Sequence, residues 1–281
     1  MCIEKDCAPV DPERRAFLAA TAAGAVVLAA LDFARSAQEQ PPPTRVLDAP
    51  GIRHGRVTFK SGPKGIDGYL ARPKGKGRHP PVLVIAGNRI SEEYIPNTCA
   101  ALAVAGYVGL APDIFHTVPE SARTPDEMTK ALEGRTEDDF LQDIRAGAAH
   151  LDSHKNVKAG GMGIIGFCSG GRRAMLYADR TREIKAVVPY HPAKMKPEEV
   201  AHLKAPVQVH SGTADRHVPV SDIQDLGKIL REQGTPVEVY LYEGADHGFL
   251  AYTRPYYKPD EAQLAWKRTV EFLDRHIKGG G

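Results

Sequence analysis

The run GIIGFCSGG places a cysteine and a serine side by side between glycines, as Gly166-Phe167-Cys168-Ser169-Gly170. A nucleophile carried on a sharp strand-to-helix turn needs glycine two residues before and two after it, because side chains there would collide with the adjoining strand and helix. That spacing selects Cys168. With Ser169 at the apex, Phe167 would fill a position where a large ring is hard to accommodate. Ser169 then contributes the backbone N–H that follows the nucleophile, one half of an oxyanion hole. A thiol nucleophile needs a base, and the base needs an orienting acid. His247, in YEGADHGFL, and Asp215, in HSGTADRHVP, each follow an apolar run, and they complete the chain order nucleophile, acid, histidine.

Other residues compete for these roles. Asp246 is a second candidate acid, but it adjoins His247 and its side chain should point elsewhere. His217 is a second candidate base; two residues past Asp215 and two before Pro219, it suits a surface or substrate-edge role better. His191 and His210 end apolar runs with no second ligand at metal spacing. Satisfied polar residues near the sheet edge are the expectation for both, with no zinc site and no cofactor. An unreactive, packed thiol remains the alternative for Cys168, since free cysteine is among the most buried residue types.

Such residues need strand ends to hold them. Alternation in GRVTFKSG and IDGYLARP predicts an antiparallel hairpin over roughly residues 55–73. Beyond it PVLVIAG is a continuous apolar run, as a strand buried on both faces requires, and comparable runs recur at GYVGLAPD, GMGIIGF, IKAVVPYH, APVQVHSG and PVEVYLYEG. Helical patterns lie between them. Phe140, Ile144, Ala148 and Leu151 share one face, VSDIQDLGKILREQG closes on Gly234, and the last helix carries Leu264, Val270 and Leu273 among its apolar positions. This alternation predicts an α/β fold, with a mainly parallel central sheet covered by helices on both faces. Ligands bind such sheets beyond the carboxyl ends of the strands, which directs attention to Asn88, Asp113, Cys168, His191, Asp215 and His247.

Composition limits the partners. The 37 basic and 35 acidic residues leave a net charge of +2, too balanced for a nucleic-acid footprint, so a small molecule is the expected ligand. The N-terminus differs from the rest: Arg14 and Arg15 precede an apolar, alanine-rich run from Ala16 to Leu31, short for a membrane span. Residues 1–37 therefore read as a twin-arginine signal handled by export machinery, placing the mature protein in the periplasm, with an uncleaved anchor as the lesser alternative. A Pro-rich linker over 38–52 and a single domain over 53–281 follow. Cys2 and Cys7 would leave with the signal; Cys99 and Cys168 are expected to stay as separate thiols, Cys99 buried in a helix.

From about Gly55 onward, GYLARP, PVLVIAGNR, AGYVGLAPDIF, IGFCSGG, HSGTADRHVP, DHGF and AWKRTVEFLDRHI resemble the dienelactone hydrolase family, a cysteine-using branch of the α/β-hydrolases. The resemblance implies hydrolysis of a lactone or small carboxylic ester through an acyl-enzyme, with Cys168, Asp215 and His247 as triad and the N–H groups of Asn88 and Ser169 as oxyanion donors. Two departures stand out. Gly87 occupies the place of the family's thiol-contacting glutamate, so Cys168 is expected to pair directly with His247; Glu92 and Glu93 are possible replacements. Ala251 occupies the place of an arginine that clamps the substrate carboxylate, leaving Arg89, Arg123 and Arg254 as candidates. A general carboxylesterase or thioesterase, and a non-catalytic binding module on the same scaffold, are the alternative functions.

Overall fold

The computed structural model describes residues 44–279 apart from 63, 89, 90, 120 and 123. The expected export signal over 1–37 lies outside the described residues, as does the first part of the linker. The described end of that linker is not a free tether. Val46 N–H donates to Asn97 Oδ1 at 2.6 Å and Asn97 Nδ2 donates to the Thr44 carbonyl at 2.8 Å. Val46, Leu47 and Ala49 also cover part of the core, so apolar burial anchors the chain before the sheet begins.

The hairpin forms as the alternation predicts, with β1 (Ile52–Ser61) antiparallel to β2 (Lys64–Pro73). The strands that follow are β3 (Pro81–Ile85), β4 (Val108–Pro112), β5 (Met162–Phe167), β6 (Ile184–Tyr190), β7 (Val207–Gly212) and β8 (Val237–Tyr242). They make one eight-stranded sheet in the order β1-β2-β4-β3-β5-β6-β7-β8. All pairs from β4 to β8 are parallel, and β2 joins β4 antiparallel. The order reverses at β3, where the chain first runs outward to β4 and then returns past β3 to β5. Such a reversal opens a crevice beyond the carboxyl ends of the two central strands.

The helices are α1 (Tyr94–Val104), α2 (Pro125–Ala131), α3 (Glu137–Asp152), α4 (Ser169–Asp179), α5 (Val220–Glu232) and α6 (Pro259–Leu273). Successive side chains of a strand face opposite sides. Accordingly Leu83 and Ile85 of β3 join a core covered by α3, α4 and α5, whereas Val82 and Val84 join one covered by α1 and α6. Both faces of β3 are fully buried, as its continuous apolar run requires. β8 departs from the expectation of full burial: it is the edge strand, and only Tyr242 of it is buried. Leu264 departs too. It is 43% exposed, while Val270 and Leu273 face the sheet, because α6 presents a different arc of its surface than the apolar pattern suggested. Gly234 ends α5 as expected, in a left-handed conformation one residue past the cap.

Candidate active site

The turn after β5 is built as its glycines demand. Cys168 has φ 52° and ψ −121°, a backbone conformation that L side chains rarely adopt, and this identifies it as the apex. Its N–H donates to the Tyr190 carbonyl at 3.0 Å, and its carbonyl accepts from Gly171 N–H at 2.9 Å and Arg172 N–H at 3.2 Å. A Cβ on Gly166 would lie 2.4 Å from the Gly170 carbonyl oxygen, and one on Gly170 would lie 2.4 Å from that of Ile85. The strain at Cys168 is therefore held by backbone contact on both sides. The Ser169 hydroxyl is used elsewhere: it donates to the Gly87 carbonyl at 3.0 Å and accepts from Arg173 at 3.2 Å. Ser169 opens α4, and a first-turn N–H has no intrahelical acceptor, which suits the oxyanion role. Asn88, the other expected donor, lines the same cavity as Cys168.

The loops after β7 and β8 bring the other two residues together. Gly212 lets them touch, since a Cβ there would sit 2.0 Å from the Ala245 carbonyl oxygen, which also accepts from Ala214 N–H at 3.0 Å. His247 Nδ1 donates to Asp215 Oδ2 at 2.9 Å. Asp215 Oδ1 accepts from the N–H groups of His217 and Val218, both at 2.8 Å. Burial pushes the Asp215 carboxyl up, but the hydrogen bonds from His247 and the two N–H groups outweigh it and hold the carboxyl below the usual range. Burial pulls the His247 imidazole down; hydrogen bonds to Asp215 and to Cys168 outweigh it and push it up to about 9. His247 and Asp215 thus form a hydrogen-bonded pair, and Cys168 shares their cavity and helps to hold the imidazole up. Asp246 instead accepts from His247 N–H at 2.7 Å through one oxygen and faces Arg216 at 3.5 Å through the other.

The remaining histidines divide. His210 is a satisfied core residue, bonded to Tyr242 Oη at 2.7 Å and Gln208 Oε1 at 2.9 Å. His217 packs edge-on against His247 with ring centroids 5.0 Å apart. His191 is not the satisfied residue expected. It is buried with φ 36°, its Nδ1 has no partner, and its ring lies 4.1 Å from that of His247 as part of the cavity wall. Burial and the neighbouring His247 charge hold it neutral. Asp113 caps the Phe115 N–H at 3.1 Å and takes no part in the cavity lining.

A cavity of about 220 Å³ opens over the sulfur, with Tyr94, Phe167, Leu250 and Tyr256 as its apolar walls. Arg254 and Glu92 stand on it and are paired to each other at 2.6 Å, while Asn88 Nδ2 donates to the second Glu92 oxygen at 3.2 Å. Glu92 therefore ties the loop after β3 to the loop after β8. Ala251 lines the cavity as well. Arg89 and Arg123 lie outside the described residues. Gly87 has no room for a side chain, since a Cβ would lie 2.5 Å from the Phe167 carbonyl oxygen and 2.9 Å from Cys168 Cβ. The sequence carried no periodic signal for Tyr94, Leu250 or Tyr256 as lining residues; loop and helix-start positions have none. Cys99 and Cys168 are both free thiols, Cys99 fully buried in α1.

The model of the dienelactone hydrolase family matches residues 66–277. A Bradyrhizobium sp. protein provisionally assigned as 2-oxo-3-(5-oxofuran-2-ylidene)propanoate lactonase is 32% identical over 75% of this chain and 90% of its own. A Methylorubrum extorquens protein provisionally assigned as a carboxymethylenebutenolidase is 28% identical over 83% of this chain and 84% of its own. Among solved structures, a Klebsiella pneumoniae protein provisionally assigned as a dienelactone hydrolase superposes with a TM-score of 0.74 at 26% identity, covering 80% of this chain and 99% of the other.

Proposed function

Since the chain belongs to the dienelactone hydrolase family of lactone and ester hydrolases, we propose that it cleaves a lactone or small carboxylic ester through a thioester on Cys168. The observation that carries this reading is the strained Cys168 turn, which shares one cavity with a His247 that is itself fixed by Asp215. The Cys168 thiolate attacks the carbonyl carbon, and the resulting oxyanion is held by the N–H groups of Asn88 and Ser169, each worth about 3 kcal/mol at comparable sites. Collapse expels the alkoxide, which takes the proton from His247. His247 then removes a proton from water, whose oxygen attacks the thioester; the carboxylic acid leaves and Cys168 is restored. A ring-opened lactone keeps alkoxide and acid in one molecule.

Cys168→Ala is expected to abolish release of p-nitrophenol from short acyl esters while circular dichroism stays native. Undiminished turnover would remove the thioester from the mechanism, and an unlabelled, inactive wild-type Cys168 would point to a binding module. A general carboxylesterase or thioesterase is the second reading, favoured by one observation. Arg254, the described arginine on the cavity, is already neutralised by Glu92, which leaves it poorly placed to clamp a substrate carboxylate. Competition between a carboxylated lactone and a neutral ester separates the two. We also propose that the protein is exported through its twin arginines; the support is Arg14 and Arg15 ahead of the apolar run.

A further inference from the structure

At the end of the sheet opposite the thiol, the loops that lead into β3 and β5 meet. His79 N–H donates to the Asn156 carbonyl at 2.8 Å and Lys158 N–H to the His79 carbonyl at 2.9 Å. Beside this junction lies a recess of about 400 Å³ lined by Arg53, Arg72, Lys76 and Lys155 together with Gly75 and Asn156. No carboxylate lines it, and among the described residues none of these four cations pairs with an acid. The like charges are forced together by the fold. Arg53 of β1 and Arg72 of β2 are directly opposite in the antiparallel register, where like charges are destabilising. After burial, Arg72 is the first neighbour that holds the His154 imidazole below its ordinary value, with Lys155 contributing in the same sense. Asn156, 6% exposed, donates its Nδ2 to the Gly77 carbonyl at 3.0 Å and leaves Oδ1 without a partner.

A conflict of this kind persists where a ligand relieves it. Four cations exceed what one carboxylate could neutralise. A phosphoryl group offers two negative charges and several acceptor oxygens to the arginine forks, and its protonated oxygen, or a neighbouring hydroxyl, can donate to Asn156 Oδ1. We propose that this recess is a binding site for a phosphoryl anion, separate from the hydrolytic cavity and independent of the reaction assigned there.

The test uses the full chain at low salt, titrated calorimetrically with inorganic pyrophosphate, and separately floated with phosphatidylcholine vesicles with or without phosphatidylglycerol. The double variant Arg53→Gln, Lys155→Gln is measured beside the wild type. The expected result is pyrophosphate binding that weakens with added salt and weakens about tenfold or more in the variant. The ligand-free variant should melt at the same temperature as the wild type or higher, since a repulsive pair has been relieved, and should hydrolyse esters undiminished. Variant-sensitive retention on phosphatidylglycerol vesicles without pyrophosphate binding would assign the phosphoryl group to a lipid headgroup. Absence of both, or binding that the double substitution leaves unchanged, overturns the site.

Discussion

At the scale of single residues, Gly87 and His247 explain each other. The place where the family carries a thiol-contacting glutamate is pressed against the Phe167 carbonyl and Cys168 Cβ, so no carboxylate reaches the sulfur from there. Cys168 instead helps, with Asp215, to hold the His247 imidazole up. His247 is raised from an ordinary 6.5 to about 9, so the stability gained from its proton is complete below 6.5 and lost as pH rises through about 9. Asp215 runs the other way. Held below 3.8, it contributes above that value and loses its contribution as pH falls through the lower folded value. Hydrolysis of a neutral ester should therefore decline on the alkaline side with a midpoint near 9, as His247 loses the proton the leaving group needs. An alkaline midpoint near 6.5 in the pH–rate profile would show that the thiol–imidazole pair does not form.

At the scale of elements, backbone contact places the chemistry. The turn between β5 and α4 exists because Gly170 lies against the carbonyls of Ile85, the last residue of β3, and of Ala86 just after it, 2.4 and 2.5 Å from where a Cβ would stand. Those oxygens belong to a central strand and its buried end and have nowhere to move. Gly170→Ala is expected to lower unfolding stability by about 1–3 kcal/mol, the usual cost of overpacking. It should also depress ester hydrolysis by displacing Cys168 from His247. Wild-type activity with unchanged denaturant midpoint would show that the turn is more pliable than its contacts suggest. Glycine spacing made this element legible in the sequence. The equivalent contact of Gly212 on Ala245, which joins the Asp215 and His247 loops, was not legible, because its two partners lie more than thirty positions apart and share no local pattern.

At the scale of the whole molecule, the sheet separates two ends. The carboxyl ends of β3, β5, β7 and β8 carry the cavity over Cys168, and the opposite end carries the cationic recess. At the carboxyl ends of β1 and β4 a buried carboxylate, Asp143 of α3, binds three segments at once: Ser61 Oγ donates at 2.7 Å, Arg135 at 2.6 Å, and His116 Nε2 lies at 3.1 Å. Among the described residues no helix is long and apolar enough to cross a membrane, so the export proposal concerns the N-terminal run alone. Replacing Arg14 and Arg15 by lysine should retain the protein in the cytoplasmic fraction. Unaltered periplasmic recovery of the double variant would refute twin-arginine export.

Fold class, the strained turn at Cys168 and the positions of Asp215 and His247 just past later strands were determined by the sequence itself, because glycine spacing, strand-length apolar runs and the residues just after them are local properties. Phe140, Ile144, Ala148 and Leu151 are all buried as their spacing requires. What local pattern could not supply is which arc of a helix meets the sheet, hence Leu264, and which strand lies at the edge, hence β8. Only the tertiary structure decided that His191 abuts His247, that Glu92 engages Arg254, and that a side chain at 87 has no room. Each of these depends on distances between chain segments remote in sequence, and those distances are set by how the two helix layers close on the sheet.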